Sequence, residues 1–260
     1  MALHVVKIGG NVVDNPQALA AFIEDFAALP SPKILVHGGG KEATRLSREL
    51  GIPTTMIEGR RVTTVETLKV VTMVYAGLIN KRIVAMLQAA GCNALGLSGA
   101  DGACITARRR PVGKADYGFV GDIDADGVNA SFFKSLLDGG ITPVVCAIEH
   151  DGSGTLLNCI ADTVAAAVAL GMSAAEGSDS VRLVYCFEQP GVMVDVDDPQ
   201  SVIAHITPDY YAALKENEIV KDGMIPKLDN AFRAIRAGVG EVVIKQASDL
   251  NRPSGTTLTL

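Results

Sequence analysis

The chain has 260 residues, of which 48% are apolar and 20% charged, and its net charge is −6. This balance excludes the basic footprint that broad binding to nucleic acid or to anionic membranes requires, although local charge can still bind an anionic substrate. Five cysteines without a C-x-x-C pair favour neither a disulfide framework nor a structural zinc site.

No secretory signal precedes the first strand pattern, and apolar runs are interrupted by Gly, Asp or Asn before they reach the length of a membrane span. Most of the cysteines lie in apolar runs, which is typical of inert buried thiols in a reducing compartment. We therefore expect a cytoplasmic protein that binds neither nucleic acid nor membrane.

Short β-branched runs alternate with helical periodicity along the chain. The first half predicts strands at 5–8, 34–37, 94–97 and 103–107, helices at 16–29, 41–50, 64–78 and 80–90, and a hairpin over 54–62. The second half predicts a projecting hairpin or loop over 108–127, helices at 129–137, 160–170, 208–216 and 224–237, strands at 141–145 and 181–184, and a last strand at 241–244. This alternation predicts an α/β fold with a mostly parallel sheet covered by helices on both faces. The small, polar stretch 171–179 is the best candidate for a hinge between two lobes.

Two predicted strands end in glycine-rich turns, one at Gly9 and Gly10 and the other at 38–40. Backbone N–H groups approach a phosphate closely at glycine, and ligands of open α/β sheets bind at the carboxyl ends of strands. One turn alone is equally well explained as a tight connection. Two turns, one of them following the strand lysine Lys7, favour an anion site.

Familiar nucleotide signatures are mostly missing. No Walker A motif is present, because Lys41 is followed by Glu42 and not by Ser or Thr. The protein-kinase motifs are missing as well. The stretch 38–43 matches G-x-G-x-x-A, and Glu58 lies near the position of a ribose-binding acid, so a dinucleotide site is an alternative.

Several charged or polar residues are further candidates for ligand binding. Lys227 lies in the first turn of a predicted helix, where a positive charge opposes the helix dipole, and this favours a phosphate partner. Asp162 would face an Ala- and Val-rich side and need a cation, whereas Asn158 either binds a ligand or caps the helix. One of the two arginines Arg60 and Arg61 could clamp a carboxylate, or the two form a solvated pair.

Taken in order, the motifs K-I-G-G, H-G-G-G, G-x-R-V-T, N-x-x-A-D and D-G-M-I-P-K resemble those of the amino acid kinase family. The resemblance covers nearly the whole chain, and the last three motifs are typical of its acetylglutamate kinase branch. It implies an open three-layer αβα sandwich. The residues 1–260 would be a single amino acid kinase domain, with an N-terminal lobe (1–172) for the amino acid and dimerisation and a C-terminal lobe (173–260) for ATP.

The resemblance also implies an activity: ATP-dependent phosphorylation of the γ-carboxylate of N-acetyl-L-glutamate, the second step of arginine biosynthesis. By position, the catalytic residues would be Lys7, Lys227 and Asp162, with Asp162 holding both lysines. Mg²⁺ would arrive with the ATP phosphates, so no metal ligands are expected in the chain. The substrate would contact Gly39, Gly40, Arg61 and Asn158, and the nucleotide would contact Lys7, Gly9, Gly10, Glu188 and Lys227.

Three departures from the family pattern stand out. Ile160 replaces the second Asn of N-x-N-A-D, Ala100 replaces the lysine of an S-G-K-D turn, and the segment 186–191 replaces T-D-V-P-G. The first two affect the acyl pocket and the third affects the adenosine contacts. An N-succinylglutamate kinase, with Arg60 as the nearest cation, another member of the family and a non-catalytic nucleotide or amino-acid sensor remain alternatives.

The helices at 64–78 and 80–90 carry a broad apolar surface that a symmetric partner could share. It is formed by Val65, Leu68, Val71, Tyr75, Leu78, Ile83 and Leu87. The strand at the start of the chain leaves no room for the preceding helix that links dimers of arginine-sensitive relatives into hexamers. We therefore expect a homodimer without arginine feedback.

Overall fold

The computed structural model describes residues 2–30, 32–177, 180–220 and 224–260. The strands, in chain order, are β1 (Leu3–Ile8), β2 (Lys33–His37), β3 (Met56–Ile57), β4 (Arg60–Arg61), β5 (Ala94–Leu97), β6 (Arg108–Arg109), β7 (Gly121–Asp122), β8 (Thr142–Cys146), β9 (Ile148–His150), β10 (Leu156–Asn158), β11 (Val181–Phe187), β12 (His205–Ile206), β13 (Glu241–Gln246) and β14 (Thr256–Leu258). The helices are α1 (Gly10–Asp14), α2 (Pro16–Ala28), α3 (Gly40–Glu49), α4 (Val65–Thr72), α5 (Asn80–Ala89), α6 (Ala130–Asp138), α7 (Ala161–Glu176), α8 (Pro208–Glu216) and α9 (Met224–Arg236). A π-helical turn, Met73–Ile79, joins α4 to α5.

Eight of these strands form the central sheet in the order β12-β14-β13-β11-β1-β2-β8-β5. Every neighbouring pair is parallel except β13 with β14. The strand β2 is buried along its whole length, as expected for a strand covered on both faces. The predicted mostly parallel α/β sheet is confirmed.

Helices cover both faces of this sheet. On one face α7 packs against β1, β2 and β11, flanked by α6 and α9, whereas α5 packs against β5 and β8 on the other face beside α2. The apolar side chains of both layers belong to one continuous core. The three-layer αβα sandwich is therefore confirmed as well.

Helix α2 illustrates how local sequence sets an element's ends. The Asn15 side chain accepts hydrogen bonds from the backbone N–H groups of Gln17 and Ala18, and Pro16 occupies the first turn. At the other end, Lys33 Nζ donates to the carbonyl oxygens of Ala27 and Leu29, which the helix leaves without internal partners.

Three elements differ from the sequence-based expectation. The strand predicted at 103–107 does not form, because Gly102 has a left-handed φ of 62° and a short 3-10 turn, Asp101–Ala103, occupies its start. The last strand is β14 rather than β13. The proposed hinge is helical through Glu176, where α7 ends, and its residues 178 and 179 lie outside the described part of the chain.

The predicted helices at 64–78 and 80–90 form one continuous helical segment, Val65–Ala89, through the π-helical turn. Its 25 residues, with a mean hydropathy of 1.5, are long and apolar enough to cross a membrane by length and composition alone, contrary to our expectation from the sequence. The core helix of a soluble protein meets the same criterion. Here one side of the segment lies in the core, at Val70, Val71, Val74, Ile79, Ile83 and Leu87.

Candidate active site

An ion pair lies at the carboxyl end of the central strand β1. Lys7 Nζ is 2.6 Å from Asp162 Oδ1, and only 8% of Lys7 is exposed. Asp162 lies in the first turn of α7, where a carboxylate also interacts favourably with the helix dipole. Because α7 packs on β1 and its two neighbours, its first turn is brought to the end of the strand that carries Lys7. The cation that the sequence predicted for Asp162 is therefore Lys7.

A second lysine approaches the same place from α9. Lys227 Nζ lies 3.9 Å from the ring centroid of Phe187, and Lys7 Nζ lies 5.1 Å from it. Burial lowers the pKa of Lys227, and the charge of Lys7 adds to this, while Asp162 and Glu188 oppose it. Two cations and one carboxylate thus converge around one aromatic ring. Asp222 and Gly223, which precede this helix in the sequence motif, lie outside the described residues.

The first glycine turn joins β1 to α1. The Gly9 N–H donates to the Cys186 carbonyl at 2.9 Å, so this amide holds β1 against β11. Gly10 begins α1, whose N-terminus points to the carboxyl end of the sheet. Glu188 is exposed. It lies close to this turn, because a Cβ on Gly9 would be 3.9 Å from Glu188 Oε1.

The second glycine turn joins β2 to α3 and packs against the π-helical turn. A Cβ on Gly39 would lie 2.3 Å from Ile79 Cδ1 and 2.9 Å from Tyr75 Cδ1, distances that real Cβ atoms do not reach. A Cβ on Gly40 would lie 3.9 Å from the Tyr75 hydroxyl, which is ordinary contact. Close packing therefore requires glycine at position 39 but not at position 40.

His37 anchors this second turn. Burial lowers its pKa to about 4, so the imidazole is neutral. Its Nε2 accepts from the Asn80 amide at 3.1 Å, and its Nδ1 therefore donates to the Gly38 carbonyl at 2.9 Å. Asn80 follows the π-helical turn directly, so this hydrogen bond fixes the glycines relative to Tyr75.

Arg61 is buried, with 8% of it exposed, and it connects β4 to the start of α3. Its Nη2 donates at 2.8 Å to both the Gly40 carbonyl and the Thr44 hydroxyl. A buried, hydrogen-bonded guanidinium contradicts the interpretation of Arg61 as half of a solvated surface pair, and it suits a carboxylate clamp.

Asn158 is the last residue of β10, and a hydrogen bond to the segment that follows β4 fixes its side chain. Its Nδ2 donates at 3.0 Å to the Thr63 hydroxyl, which in turn donates at 3.2 Å to the Arg61 carbonyl. The residue before α7 is Ile160, which makes no side-chain cap. The interpretation of Asn158 as a helix cap is therefore wrong.

These side chains share a cavity of about 240 Å³. It brings together Lys7 from the strand end, Gly39 and Gly40, Arg61 from the hairpin, and Asn158. The other residues on its wall include Gly10, Gly38, Arg60 and Tyr75. The cavity has cationic groups at two places, which fits a small ligand with two anionic ends.

A family model described as the amino acid kinase family matches residues 2–246. The chain belongs to the amino acid kinase family. The family predicted from the sequence motifs is thereby confirmed, and the dinucleotide alternative is excluded. Glu58, on which that alternative relied, lies exposed in the β3–β4 turn with a left-handed φ of 49°.

Named relatives cover almost the whole of this amino acid kinase. The acetylglutamate kinases of Cytophaga hutchinsonii and Phocaeicola vulgatus are 52% and 50% identical to it, over 98% of this chain and 98% of each relative. The crystal structure of smu.665 from Streptococcus mutans superposes with a TM-score of 0.79 at 27% identity, covering 99% of this chain and 98% of that one. Carbamate kinase from Giardia lamblia bound to AMP-PNP superposes with a TM-score of 0.71 at 13% identity, covering 99% and 98% of the two chains, which shows a shared fold.

A larger cavity of about 630 Å³ lies on the C-terminal side of this amino acid kinase. Its wall includes Gln189, Gly191 and Met224, together with the ranges 192–196 and 218–220. Gln189 and Gly191 of this wall belong to the segment 186–191, where the sequence departs from the family motif. The sequence therefore offered one candidate in this segment, Glu188, which does not line the cavity.

Two aromatic residues in the site were not predicted to lie there: Tyr75 was assigned to the apolar dimer surface, and Phe187 was given no role. Tyr75 lies in a π-helical turn, which the α-helical periodicity of its segment does not reveal. Phe187 lies in an apolar strand, where an aromatic residue is ordinary core. A signal for Phe187 was its place in the segment that departs from the family, shortly before the residues that line the larger cavity.

Proposed function

We propose that this amino acid kinase transfers the γ-phosphoryl group of ATP to the γ-carboxylate of N-acetyl-L-glutamate, the second step of arginine biosynthesis. The observation that carries the proposal is the shared cavity with Arg61 at one place and the paired Lys7 at another. The named function of relatives at about 50% identity supports the same substrate.

The chemistry requires positioning rather than proton transfer. A γ-carboxylate has a pKa near 4.3, so it is ionised at neutral pH and needs no general base. The obstacle is the approach of one anion to the phosphate chain of another. Lys7 and Lys227 supply positive charge from different elements, and backbone N–H groups of the glycine turns add fixed dipoles. Asp162 places Lys7 through their ion pair and acts on Lys227 through its charge.

On the substrate side, Arg61 would bind the α-carboxylate and Asn158 would fix the backbone of the acylated amino acid. Gly39 and Gly40 would line the path of the γ-carboxylate. This assignment is supported by the burial of Arg61 and by the hydrogen bonds that fix the rotamers of Arg61 and Asn158 before any ligand binds.

On the nucleotide side, the larger cavity would take the adenosine, close to Glu188. The phosphates would reach Lys7, Gly9, Gly10 and Lys227, although the Gly9 N–H already bonds to Cys186 and would contribute only close approach of the backbone. Within the described residues no three His, Cys, Asp or Glu side chains are grouped to hold a metal ion. Mg²⁺ bound through ATP phosphates would supply additional charge neutralisation.

A coupled ADP-release assay tests the proposal. Purified protein with ATP and Mg²⁺ should turn over N-acetylglutamate, and clearly faster than glutamate or carbamate. ADP release that does not depend on an acylated glutamate would refute it, as would binding of the acylated glutamate without turnover, which a sensor would show.

N-succinylglutamate is a second candidate substrate, because Arg60 lines the substrate cavity beside Arg61. A succinyl group carries one more carboxylate, which this cation could bind. We retain acetyl as the preferred acyl group. If succinylglutamate instead gives a clearly higher kcat/KM, Arg60→Ala should remove that preference while leaving turnover of acetylglutamate intact.

We further propose a cytoplasmic homodimer whose protomers each contain a substrate lobe, 1–172, and an ATP lobe, 173–260. Of the apolar residues expected on the dimer surface, Val71, Tyr75, Ile83 and Leu87 are buried in their own protomer, so they cannot form it. The large apolar residues that remain exposed on this helical segment are Val65, Met73 and Leu78. Light scattering should give the mass of a dimer, and Leu78→Glu should reduce it to that of a monomer.

A further inference from the structure

The ring of Phe187 lies at the centre of the two-lysine arrangement. Lys227 Nζ is 3.9 Å and Lys7 Nζ is 5.1 Å from its centroid, both within the range of a cation–π interaction. Each lysine comes from a different element, Lys7 from β1 and Lys227 from α9. Phe187 is thus a single side chain that contacts both cations.

The ring is held firmly in place. It is buried and stacks on Tyr185 with centroids 6.1 Å apart and an interplanar angle of 16°. The Tyr185 hydroxyl donates at 3.1 Å to the backbone carbonyl of Asp162, the residue whose carboxylate pairs with Lys7. On another side the ring packs on the end of β1, since a Cβ on Gly9 would lie 3.6 Å from its Cδ1.

The local charges explain why a ring is useful here. Asp162 offers one negative charge to two ammonium groups, and the exposed Glu188 also favours the charged form of Lys227. Lys7 and Lys227 nevertheless repel each other, which contributes to lowering the pKa of Lys227. A further carboxylate between the lysines would relieve this repulsion but would also repel an incoming phosphate. The negative face of an aromatic ring attracts both cations without carrying a net charge.

We propose that Phe187 is a positioning residue that holds Lys7 and Lys227 together at the site of phosphoryl transfer. This inference rests on the proposed function of the two lysines. It gives a role to a residue that ordinarily would belong to the core of β11.

The test compares Phe187→Leu with Phe187→Tyr and with site-specific incorporation of phenylalanines carrying one, two or three ring fluorines. Fluorine withdraws electrons from the ring face and weakens its attraction for cations while nearly preserving its shape. We expect kcat for N-acetylglutamate to fall about 5- to 30-fold in Phe187→Leu. It should stay within about twofold in Phe187→Tyr and decrease stepwise with each fluorine. The Tm of the fluorinated variants should stay close to that of the wild type.

Phe26 provides the matched control. Lys33 Nζ lies 5.3 Å from the ring centroid of Phe26. Phe26 is on α2 and Lys33 is at the start of β2, at the end of the sheet opposite the candidate site. Phe26→Leu should lower Tm and leave kcat nearly unchanged. A Phe187→Leu variant with kcat close to the wild type, or a fluorinated series without a trend, would overturn the inference.

A measurement independent of activity separates this inference from the proposed function. In side-chain NMR of the full chain, Lys227 should show a lower pKa in Phe187→Leu than in the wild type, because the ring no longer favours its charged form. An unchanged pKa of Lys227 would refute the positioning role. A wild-type protein that does not turn over N-acetylglutamate would refute the proposed function, whatever the NMR result.

Discussion

The two sides of the candidate site are held by different kinds of interaction. On the side proposed for the substrate, Arg61 and Asn158 are fixed by hydrogen bonds of 2.8 to 3.2 Å that run through Thr63 and the Gly40 carbonyl, around a cavity of about 240 Å³. We call this the substrate side and the other the nucleotide side. On the side proposed for the nucleotide, Lys7 and Lys227 are held by one ion pair and two ring contacts. Lys7 also lines the smaller cavity, whereas Met224, three residues before Lys227 on α9, lines the cavity of about 630 Å³.

This difference corresponds to two tasks. Hydrogen bonds have a preferred direction, so they fix a recognition site before the substrate arrives and discriminate between similar ligands. Charge and ring contacts depend weakly on direction, so they keep two ammonium groups close while leaving them able to turn towards a phosphate. We therefore expect changes on the substrate side to act mainly on KM and changes on the nucleotide side to act mainly on kcat.

The largest effect is expected from the two lysines. Lys7→Ala and Lys227→Ala should each lower kcat by about 10²- to 10³-fold, the usual result of removing one preorganised group that stabilises developing charge. The KM for N-acetylglutamate should change far less. Asp162→Asn should also lower kcat, and its combination with Lys227→Ala should be less than additive, because the carboxylate acts by placing the lysines.

Steady-state kinetics of folded variants is the measurement, with circular dichroism as the check on folding. Lys33→Ala is a control, because Lys33 bonds to helix carbonyls far from the site. If the Lys7 and Lys227 variants fold normally and keep kcat within a few-fold of the wild type, the lysines are structural ion-pair partners and the mechanism is wrong.

A smaller effect is expected at the second glycine turn. Gly39→Ala places a methyl group against Ile79 and Tyr75, so the turn or the π-helical segment must move. Because the turn lines the substrate cavity, kcat/KM for N-acetylglutamate should fall about 10- to 100-fold, consistent with the effect of a displacement of about 1 Å.

Gly40→Ala is the matched comparison, since its methyl group meets only the Tyr75 hydroxyl at 3.9 Å. Its Tm should therefore stay near that of the wild type, whereas the Tm of Gly39→Ala should fall by several degrees. Equal losses of Tm in the two variants would contradict the packing argument.

The substrate side was also easier to predict from the sequence. Arg61 and Asn158 lie in short motifs whose spacing survives in this chain, and the structure brings both to one cavity with Lys7 and the glycines. The parallel sheet followed from apolar strands that alternate with helical periodicity. These features depend on local sequence, which is why they could be predicted.

The features that were missed depend on contacts between distant segments. The burial of Tyr75 against Gly39 results from a π-helical turn, and the π-helix has no distinct apolar period in a short stretch. The position of Phe187 between two lysines requires β1, β11 and α9 to meet. The strand predicted at 103–107 was likewise wrong, because Gly102, just before it, has a left-handed backbone. That backbone conformation cannot be read from the apolar run itself.

A tenfold effect is expected at Tyr75, on the substrate side. This buried tyrosine lines the substrate cavity, and the Arg61 guanidinium faces its hydroxyl, although burial still raises its pKa. Tyr75→Phe keeps the ring that packs on Gly39 and removes only the hydroxyl. The KM for N-acetylglutamate should rise about tenfold, as expected for a lost hydrogen bond to a charged group, with kcat little changed.

Tyr210→Phe is the control for this substitution, because Tyr210 is exposed on α8 and distant from the cavity. It should change neither constant. An unaltered KM in Tyr75→Phe would restrict the role of Tyr75 to packing. A lower kcat with an unaltered KM would show that the hydroxyl acts in phosphoryl transfer and not in substrate binding.

The smallest effect concerns stability beneath the substrate side. Glu149 lies in β9, paired with Leu157 next to Asn158, and it is completely buried. Neither carboxyl oxygen has a hydrogen-bond partner among the described residues. Burial raises the pKa of Glu149 well above its usual value of 4.5. The nearby Gly99 N–H, which donates to the Ile148 carbonyl at 2.8 Å, opposes this rise only in part. The folded protein therefore retains this proton at pH values at which the unfolded chain has already released it.

The sign of the pH dependence follows from linkage. Because the folded-state pKa is raised, the favourable contribution of Glu149 is complete below the pKa of the unfolded chain and is lost as the pH rises towards the folded-state pKa. Glu149→Gln cannot ionise, so it removes this loss. Its Tm should exceed that of the wild type by a few degrees at pH 8, and the difference should shrink as the pH falls towards 4.5.

Asp151, in the same hairpin, is the matched control with the opposite sign. Hydrogen bonds from the backbone N–H groups of Thr155 and Ser153 lower the pKa of Asp151, so Asp151→Asn should slightly lower Tm at pH 8 and have less effect at low pH. At each pH, the difference in Tm between a variant and the wild type cancels the contribution of all other titrating groups. A Glu149→Gln difference that is the same at pH 5 and pH 8 would show that this carboxyl does not titrate abnormally. The β9–β10 hairpin would then rest on a core that is insensitive to pH, and Glu149 would affect Tm only through packing.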